Sequence, residues 1–294
     1  MPEDPVLIIG FGDIGTRIAS LERRKGRPVT ALSRNERRIH ALNDPGVFHW
    51  CADLDAPLAG ISERFGAVYY LAPPSPHGTS DQRLLNGLGA LTHAPAKLVY
   101  LSTSAVYGDC QGAWIDENQP LCPGTDRGKR RLFAEQAVGA WANQHQVPFV
   151  LLRVPGIYGP GRLPLARIRE GLPVIDPAQS PFTNRIHADD LAQAAVLAME
   201  NGASGEAYNI SDGHPTTMTD YFWKIADRYG LERPVAVPLE EAKTRLSPGM
   251  WSFLEESKRL INRRMLDDLG VKLRYPTLDE GLDHASPSDH NVPH

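Results

Sequence analysis

Three glycines near the start of the chain have the spacing of an anion-binding loop. Gly10, Gly12 and Gly15 form the pattern G-x-G-x-x-G, between the apolar run Val6–Ile9 and a stretch with helical periodicity. Amides at a helix N-terminus point toward a phosphate. The glycines allow the tight turn, the close approach of a diphosphate and the packing of helix on strand. The sequence therefore predicts a dinucleotide-binding loop rather than a bare structural turn.

The end of the second predicted strand indicates which dinucleotide binds. Pro28–Leu32 is followed by Ser33 and Arg34, where a protein that binds NAD would place an acid for the ribose 2′-hydroxyl. A guanidinium pairs with the 2′-phosphate of NADP, whereas a carboxylate repels it. We therefore predict NADP rather than NAD. The alternative is that Arg34, with Arg37 and Arg38, lies on a solvated helix start.

A carboxylate follows the third predicted strand. Asp53 comes after Val47–Trp50, at a position from which it could reach the adenine amino group. The alternative is that Asp53 caps a helix N-terminus, which is a common place for aspartate.

Three consecutive hydroxyls stand at the end of the strand Lys97–Leu101. Ser102, Thr103 and Ser104 would lie beside a nicotinamide, where a hydroxyl can form a hydrogen bond with a substrate carbonyl or alcohol. The alternative is a serine-rich loop whose side chains satisfy their own backbone. The position at the end of a buried strand favours the first interpretation.

The elements that must position these residues alternate between strand and helix patterns in the first half of the chain. Such alternation is typical of βαβ units and a parallel sheet. The strand Ala67–Leu71 is apolar throughout, as expected for a strand covered on both faces. Farther along, the pattern predicts a last strand at Ala207–Ile210 and helices at Asp190–Asn201, Thr219–Tyr229 and Ser257–Leu269. The fold class is therefore predicted as α/β.

Composition excludes several classes of protein. The 294 residues carry a net charge of −4, which argues against a general nucleic-acid binder. No apolar run approaches the ~20 residues of a membrane helix, and the acidic N-terminus does not have the order of a signal peptide. Cys51, Cys110 and Cys122 form no C-x-x-C pair. We expect free thiols, a cytoplasmic location and no metal site.

Four further motifs occur in a characteristic order. They are L-S-T-S-A-V-Y-G-D at 101–109, R-V-P-G-I-Y-G-P-G-R at 153–162, N-R-I-H-A-D-D-L-A at 184–192 and S-K-R-L-I-N-R-R-M-L-D-D-L-G at 257–270. With the glycine loop, they resemble the extended short-chain dehydrogenase/reductases, the NAD-dependent epimerase/dehydratase group, to about Leu282. The resemblance implies a Rossmann doubly wound parallel sheet with a smaller C-terminal substrate lobe. Residues 1–160 would form the dinucleotide-binding core and 161–283 mainly the substrate lobe, with 184–200 returning to the core and 284–294 a disordered tail.

The resemblance also assigns site residues. Thr103 takes the position of the serine or threonine that orients the substrate oxygen. Substrate contacts are implied at Ser104, Tyr158 and Arg162. Cofactor contacts are implied at Gly10, Gly12, Asp13, Ile14, Gly15, Ser33, Arg34, Asp53, Leu54, Leu71, Ala72, Pro73, Ser102 and Pro155.

The main departure from the family pattern concerns its catalytic tyrosine and the lysine four residues later. Counting back from Ala134-Glu135 places these positions at Arg127 and Arg131, and a shifted alignment supplies no tyrosine either. Arginine is a poor general acid or base, because its pKa stays above ~12. Since residues four apart share a helix face, the two arginines could hold an anionic group. The alternative is a solvated basic face on which Glu135 satisfies Arg131.

Two other phenols remain for proton transfer. Tyr107 and Tyr158 are predicted in loops at the carboxyl edge of the sheet. The leading hypothesis is an NADP-dependent oxidoreductase or epimerase-type enzyme, acting on a small polar or anionic hydroxy/keto compound or a nucleotide-sugar-like one. The alternative is a non-catalytic NADP-binding sensor or partner-binding protein. The resemblance also suggests a homodimer, and nothing in the sequence points to a nucleic-acid or membrane partner.

Overall fold

The computed structural model describes residues 4–34, 45–246, 251–252 and 254–284. Arg37, Arg38 and the predicted disordered tail beyond residue 284 lie outside these ranges. The elements are, in chain order, β1 (Val6–Ile9), α1 (Asp13–Arg24), β2 (Val29–Ser33), β3 (Val47–Cys51), β4 (Ala67–Tyr70), α2 (Gln82–Gly89), β5 (Lys97–Thr103), a 3₁₀ turn (Ser104–Tyr107), β6 (Trp114–Ile115), α3 (Asp126–His145), β7 (Phe149–Val154), β8 (Gly156–Tyr158), α4 (Leu165–Arg169), β9 (Val174–Ile175), β10 (Phe182–Thr183), β11 (Arg185–His187), α5 (Ala188–Asn201), β12 (Ala207–Asn209), β13 (Thr216–Thr217), α6 (Met218–Arg228), β14 (Ala236–Val237), α7 (Leu239–Arg245), β15 (Arg259–Leu260), α8 (Arg263–Asp267) and α9 (Leu278–Asp283).

The central element is a parallel sheet, which within the described ranges has the strand order β12-β7-β5-β4-β1-β2-β3. Val6 is paired with Val29 of β2 on one side and with Ala67 of β4 on the other. The chain runs outward from β1 in one direction through β2 and β3, then returns to β4 and continues in the other direction. Ligands bind in the crevice at such a switch point, beyond the carboxyl ends of the strands. The predicted α/β doubly wound fold is confirmed.

Both faces of the sheet are covered, which explains why its strands are apolar throughout. Val6 and Ile8 pack into one core cluster, which includes Ile18 of α1 and Leu191 of α5. Side chains of β1 that point to the opposite face join a second cluster with α2 and α3. This alternation follows from the two-residue period of a strand.

The C-terminal segments form smaller clusters beside the carboxyl edge of the sheet. Tyr158 at the end of β8 packs with Phe222 and Ile225 of α6 and with Leu278 of α9. The short strands β8 and β11 pair in parallel and place residues 156–158 next to 185–187. This arrangement brings segments distant in sequence to the mouth of the crevice.

One predicted element is wrong. Ser257–Leu269 was expected to be a single helix, but Arg259–Leu260 is a strand that pairs with Trp114–Ile115, and a helix begins only at Arg263. Tertiary pairing overrides the local helical periodicity here. The three cysteines are free thiols. Among the described residues, no helix combines the length and the apolar content needed to cross a membrane.

Candidate active site

The glycine loop lies at the switch point of the sheet. Gly10 has a φ of +94°, and a Cβ built on it would come within 2.3 Å of the backbone nitrogen of Ala72, immediately after β4. Only glycine fits this close approach and left-handed conformation. Gly12 is the N-cap of α1, and a Cβ on Gly15 would lie 3.2 Å from the Gly10 carbonyl oxygen. The loop is therefore a backbone cradle beneath a helix N-terminus, which fits a dinucleotide diphosphate.

A cleft of about 540 Å³ opens over this loop, a size within the ~300–1,000 Å³ of small-molecule sites. The structure brings together in its wall all but two of the residues predicted to contact the cofactor. They are Gly10, Gly12, Asp13, Ile14, Gly15, Ser33, Arg34, Asp53, Leu54, Leu71, Ala72 and Pro73.

Arg162, which is predicted as a substrate contact, lies in the wall of this cleft over the glycine loop, the dinucleotide cleft. Its Nε is 2.6 Å from Oδ2 of Asp13, the first residue of α1. Oδ1 of Asp13 accepts from Arg17 at 2.9 Å, and Arg17 also pairs with Asp189. A chain of alternating charges therefore links the segment after β8 to the glycine loop and to α5.

A second cavity of about 170 Å³ lies beside the cleft, and Ile157 contributes to both walls. It is lined by four of the residues predicted as catalytic or substrate-binding, which are Thr103, Ser104, Arg127 and Tyr158. Pro155, expected at the cofactor, lies in this second wall. Thr103 ends β5, and its Oγ1 is 3.4 Å from the amide of Ala105, which it caps.

Comparisons with known proteins show to which family this fold and this site belong. The model of the NAD dependent epimerase/dehydratase family matches residues 6–211. The chain belongs to this family. Membership of this family accounts for the order of the glycine loop, the β5 hydroxyls and the segment after β7 along the chain. It also makes the crevice the place where a pyridine nucleotide is expected to bind.

Individual family members extend the similarity over nearly the full chain. Protein YeeZ of Escherichia coli K12 is 26% identical over 92% of this chain and 96% of its own length. A solved structure of a conserved protein of unknown function from Silicibacter pomeroyi is 30% identical, covers 95% of this chain and 97% of that one, and has a TM-score of 0.79. UDP-glucose 4-epimerase from Thermotoga maritima, solved with UDP-glucose, is 18% identical with a TM-score of 0.73 over 95% and 96% of the two chains. At that identity, the likeness shows a shared fold alone.

Arg127 and Arg131, which the sequence analysis assigns to the positions of the tyrosine and lysine of this epimerase/dehydratase family, both lie in α3. Arg131 lines the dinucleotide cleft and donates hydrogen bonds to Tyr100 Oη at 2.9 Å and to the carbonyl oxygen of Leu101 at 3.1 Å. Arg127, one turn earlier, lines the second cavity. Burial lowers the pKa of Arg127, an effect that the carboxylate of Glu256 opposes. The two guanidiniums therefore serve different parts of the site, and Glu135 does not satisfy Arg131.

The prediction that Tyr107 moves a proton is wrong. This residue is 1% exposed, and its Oη donates to Asn209 Oδ1 at 2.8 Å and accepts from Arg153 at 3.0 Å. Burial raises the pKa of Tyr107 to about 12, and the residue lies in the 3₁₀ turn rather than in an open loop. Its hydroxyl is a structural link between β7 and β12.

Tyr158 lines the second cavity, but its hydroxyl is engaged by the segment at the start of α9. The Oη donates to the carbonyl oxygen of Thr277 at 3.2 Å and lies against Gly281 of α9. Burial raises the pKa of Tyr158 well above its ordinary value. The residue is in the strand β8 and not in a loop, so it is a wall of the cavity and a poor proton donor.

Ser102 lies outside both cavity walls, in contrast to its predicted cofactor contact. Its Oγ donates to Glu135 Oε1 at 2.6 Å, and the same carboxylate forms a buried ion pair with Arg153 at 3.0 Å. These three side chains tie β5 to α3 and β7. They hold the end of β5, with Thr103, at a fixed distance from the helix that carries Arg127.

A pair of opposite charges in the second cavity was missed by the sequence analysis. Glu256 Oε2 accepts from Lys258 Nζ at 2.6 Å, and the two side chains are 8% and 6% exposed. Both residues line the cavity with Arg127. Because alternate residues of an extended segment share one face, the spacing E-x-K could have indicated the pair, but the segment was assigned to a helix start.

The histidine and acids of the motif at 184–192 are structural. His187 is the N-cap of α5, and its Nδ1 accepts from the Asp189 amide at 3.2 Å. Burial lowers the pKa of His187 to about 4. Asp190 accepts from the amides of Arg274 and Tyr275 at 2.8 and 2.9 Å. These side chains therefore stabilise the start of α5 and its contact with the segment at 274–275.

Proposed function

We propose that this chain is an NADP-dependent oxidoreductase or epimerase-type enzyme acting on a small hydroxy or keto compound. The observation that carries the proposal is that two cavities share Ile157 in their walls. One cavity lies over the glycine loop, and the other is lined by Thr103 and Arg127. A pyridine nucleotide in the first would present its nicotinamide to a substrate in the second.

The chain's own groups suit carbonyl–alcohol chemistry. A bound nicotinamide supplies or accepts a hydride. The Thr103 hydroxyl is placed to donate a hydrogen bond to the substrate oxygen. Arg127 adds positive charge, which stabilises an oxygen that becomes negative in the transition state. The second cavity, about 170 Å³, is below the size range of drug-sized ligand sites. This volume favours a small substrate over a nucleotide sugar such as the UDP-glucose bound to the Thermotoga maritima epimerase.

The preference for NADP rests on the residues at the end of β2. Ser33 and Arg34 line the cleft, and no acid follows the strand directly. Arg34 is half-exposed and lies 3.9 Å from Asp53 and 3.4 Å from Asp55. These carboxylates orient the guanidinium across the adenosine end of the cleft, where a 2′-phosphate would replace them as its partner.

Binding and turnover test the proposal together. Purified protein is titrated with NADPH and NADH, and the absorbance of the reduced nicotinamide is then followed with aldehydes, keto acids, hydroxy acids and sugar nucleotides. We expect tighter binding of NADPH and turnover of a small keto or hydroxy compound. Arg34→Ala should remove the preference for NADPH, and Arg233→Ala, an exposed arginine paired with Asp227, is the matched control. Absence of binding to either nucleotide would overturn the proposal.

A non-catalytic NADP-binding sensor is the second candidate. It is favoured by one observation, that the hydroxyls of Tyr107 and Tyr158 are both held by the protein interior. Under this hypothesis, the protein binds NADPH tightly and turns over no compound of the panel. The same experiment therefore separates the two candidates.

A further inference from the structure

The reaction needs a group that exchanges a proton with the substrate oxygen, and the family tyrosine is absent. Arg127 stands in its place, and neither Tyr107 nor Tyr158 presents its hydroxyl to the cavity. The same wall, however, contains the carboxylate of Glu256 and the ammonium of Lys258. These groups come from the segment before β15, far along the chain from the family's tyrosine position.

The two oxygens of Glu256 have different surroundings. Oε2 accepts from Lys258 Nζ at 2.6 Å. Oε1 is buried, and within residues 4–34, 45–246, 251–252 and 254–284 no group donates a hydrogen bond to it. A buried carboxylate oxygen without a donor is costly to keep. A ligand that donates a hydroxyl to Oε1 would remove that cost, so the cavity wall is complementary to an alcohol.

The groups around this carboxylate decide which member of the pair can accept a proton. Arg127 on α3 and Lys258 on its own segment are cations that act on Glu256. The Cys110 thiol, whose pKa is raised mainly by burial, is a further titratable neighbour and interacts with both members of the pair. Lys258, as an ammonium, has only donors and cannot accept a proton from an alcohol. Glu256 is the group of the pair that can.

We infer that Glu256 is the general base of the site, with its buried Oε1 accepting the proton of the substrate hydroxyl, and that Lys258 is a positioning residue that fixes the carboxylate through Oε2. This inference rests on the proposed function. In alcohol oxidation, the O–H bond breaks and its proton moves to Oε1. The C–H bond breaks as the carbonyl double bond forms, and an oxidised nicotinamide bound in the cleft would take up the hydride. The neutral Glu256 then releases its proton to water, and reduction runs through the same steps in reverse.

The decisive variant is Glu256→Gln, which keeps the size of the side chain and removes the base. We expect the affinity for NADPH to stay within about twofold, because the pair lies outside the dinucleotide cleft. We expect kcat for oxidation to fall by about 10²–10⁴-fold, the usual contribution of a general base. The dependence of kcat on pH that the base causes should disappear. Glu241→Gln, in an exposed ion pair with Arg245, is the matched control, and Cys110→Ala should leave the pH profile unchanged.

Lys258 is tested separately, because a positioning residue acts on kcat through Glu256. Lys258→Met should lower kcat more than it changes KM, and Lys258→Arg should restore part of the loss. Glu256→Gln leaves Lys258 buried without a counter-charge. If that variant fails to fold, the double variant Glu256→Gln/Lys258→Met removes both charges. The double variant should also be inactive, and its binding of NADPH should be intact.

A readout independent of turnover is infrared difference spectroscopy of the complex with oxidised cofactor and alcohol. Proton transfer should create a neutral carboxyl C=O band that is absent in Glu256→Gln. The inference is overturned if the native protein turns over a compound and Glu256→Gln keeps kcat within about threefold. If the native protein takes up no pyridine nucleotide, or binds it and turns over no compound, the proposed function itself fails, so the two failures are distinguishable.

Discussion

Arg162 is expected to control the affinity for the dinucleotide rather than for the substrate. Its guanidinium neutralises Asp13, which stands at the first residue of α1, in the loop that would face the diphosphate. Replacing Arg162 by glutamine would leave Arg17 as the remaining cation on that carboxylate. Asp13 would then repel a diphosphate that the glycine loop attracts.

The size of the effect follows from exposure and charge. The side chains of Arg162 and Asp13 are 31% and 36% exposed, so the ion pair should contribute only ~0–1 kcal/mol to the free energy of unfolding. Besides neutralising Asp13, the Arg162 guanidinium would donate a hydrogen bond to the diphosphate, and a hydrogen bond to a charged group contributes about 1.5–3 kcal/mol. At about 1.4 kcal/mol per tenfold change in Kd, loss of one such contact with the diphosphate weakens NADPH binding by roughly 10- to 150-fold.

Calorimetry with two ligands separates this effect from a general disturbance of the cleft. NADPH contains the diphosphate, whereas adenosine 2′-monophosphate occupies only the adenosine end. We expect Arg162→Gln to weaken NADPH binding by the stated factor and to change the Kd of the monophosphate by less than about twofold. Asp13→Asn in addition should recover part of the loss, because it removes the repelling charge. Arg264→Gln, in a similarly exposed pair with Glu206, is the control.

Two results would refute the reasoning. Unchanged NADPH affinity in Arg162→Gln would show that the guanidinium does not act on the diphosphate. Equal losses for NADPH and for the monophosphate would show that the variant distorts the cleft as a whole.

Two further predictions concern stability. Glu135→Leu leaves Arg153 buried without its carboxylate partner and should lower the free energy of unfolding, measured in urea, by about 3–5 kcal/mol. The double variant Glu135→Leu/Arg153→Met removes both charges and should recover most of that loss. Equal losses in the single and double variants would contradict this prediction. Burial raises the pKa of Asp212 from 3.8 to about 7, so between these values the folded state holds a proton that the unfolded chain releases. The free energy of unfolding should therefore fall as pH rises through this range, by up to about 4 kcal/mol at ~1.36 kcal/mol per pH unit. Asp212→Asn should make the free energy of unfolding less dependent on pH in this range. A native protein and variant with parallel pH profiles would argue against this shift.

The central sheet could be predicted from the sequence because its signals are local. The bounds of β1 agree with the apolar run Val6–Ile9, since a strand covered on both faces needs no alternation. Gly10, predicted to allow the tight turn, has a φ of +94° and closely approaches Ala72. The segment 257–269 could not be predicted in this way, because the pairing of β15 with β6 depends on a strand far away in the chain.

The site was less predictable than the fold because the direction of a side chain depends on its distant partners. Tyr107 and Tyr158 occur in motifs at the carboxyl edge, as predicted, yet their hydroxyls are directed by Asn209 and Thr277. No spacing in the sequence links either tyrosine to its partner. The position of a phenol along a strand therefore does not decide whether its hydroxyl reaches a substrate.

Under the proposed function, the two arginines of α3 place positive charge in two different parts of the site. Residues one helical turn apart lie about 6 Å apart along the axis, at ~1.5 Å per residue. This separation places Arg131 in the dinucleotide cleft and Arg127 in the adjoining cavity. Both guanidiniums are cations, and neither can exchange a proton at neutral pH. Under the proposed function, charge stabilisation and proton transfer therefore come from different segments, and Glu256 is the carboxylate that the described wall of the cavity provides.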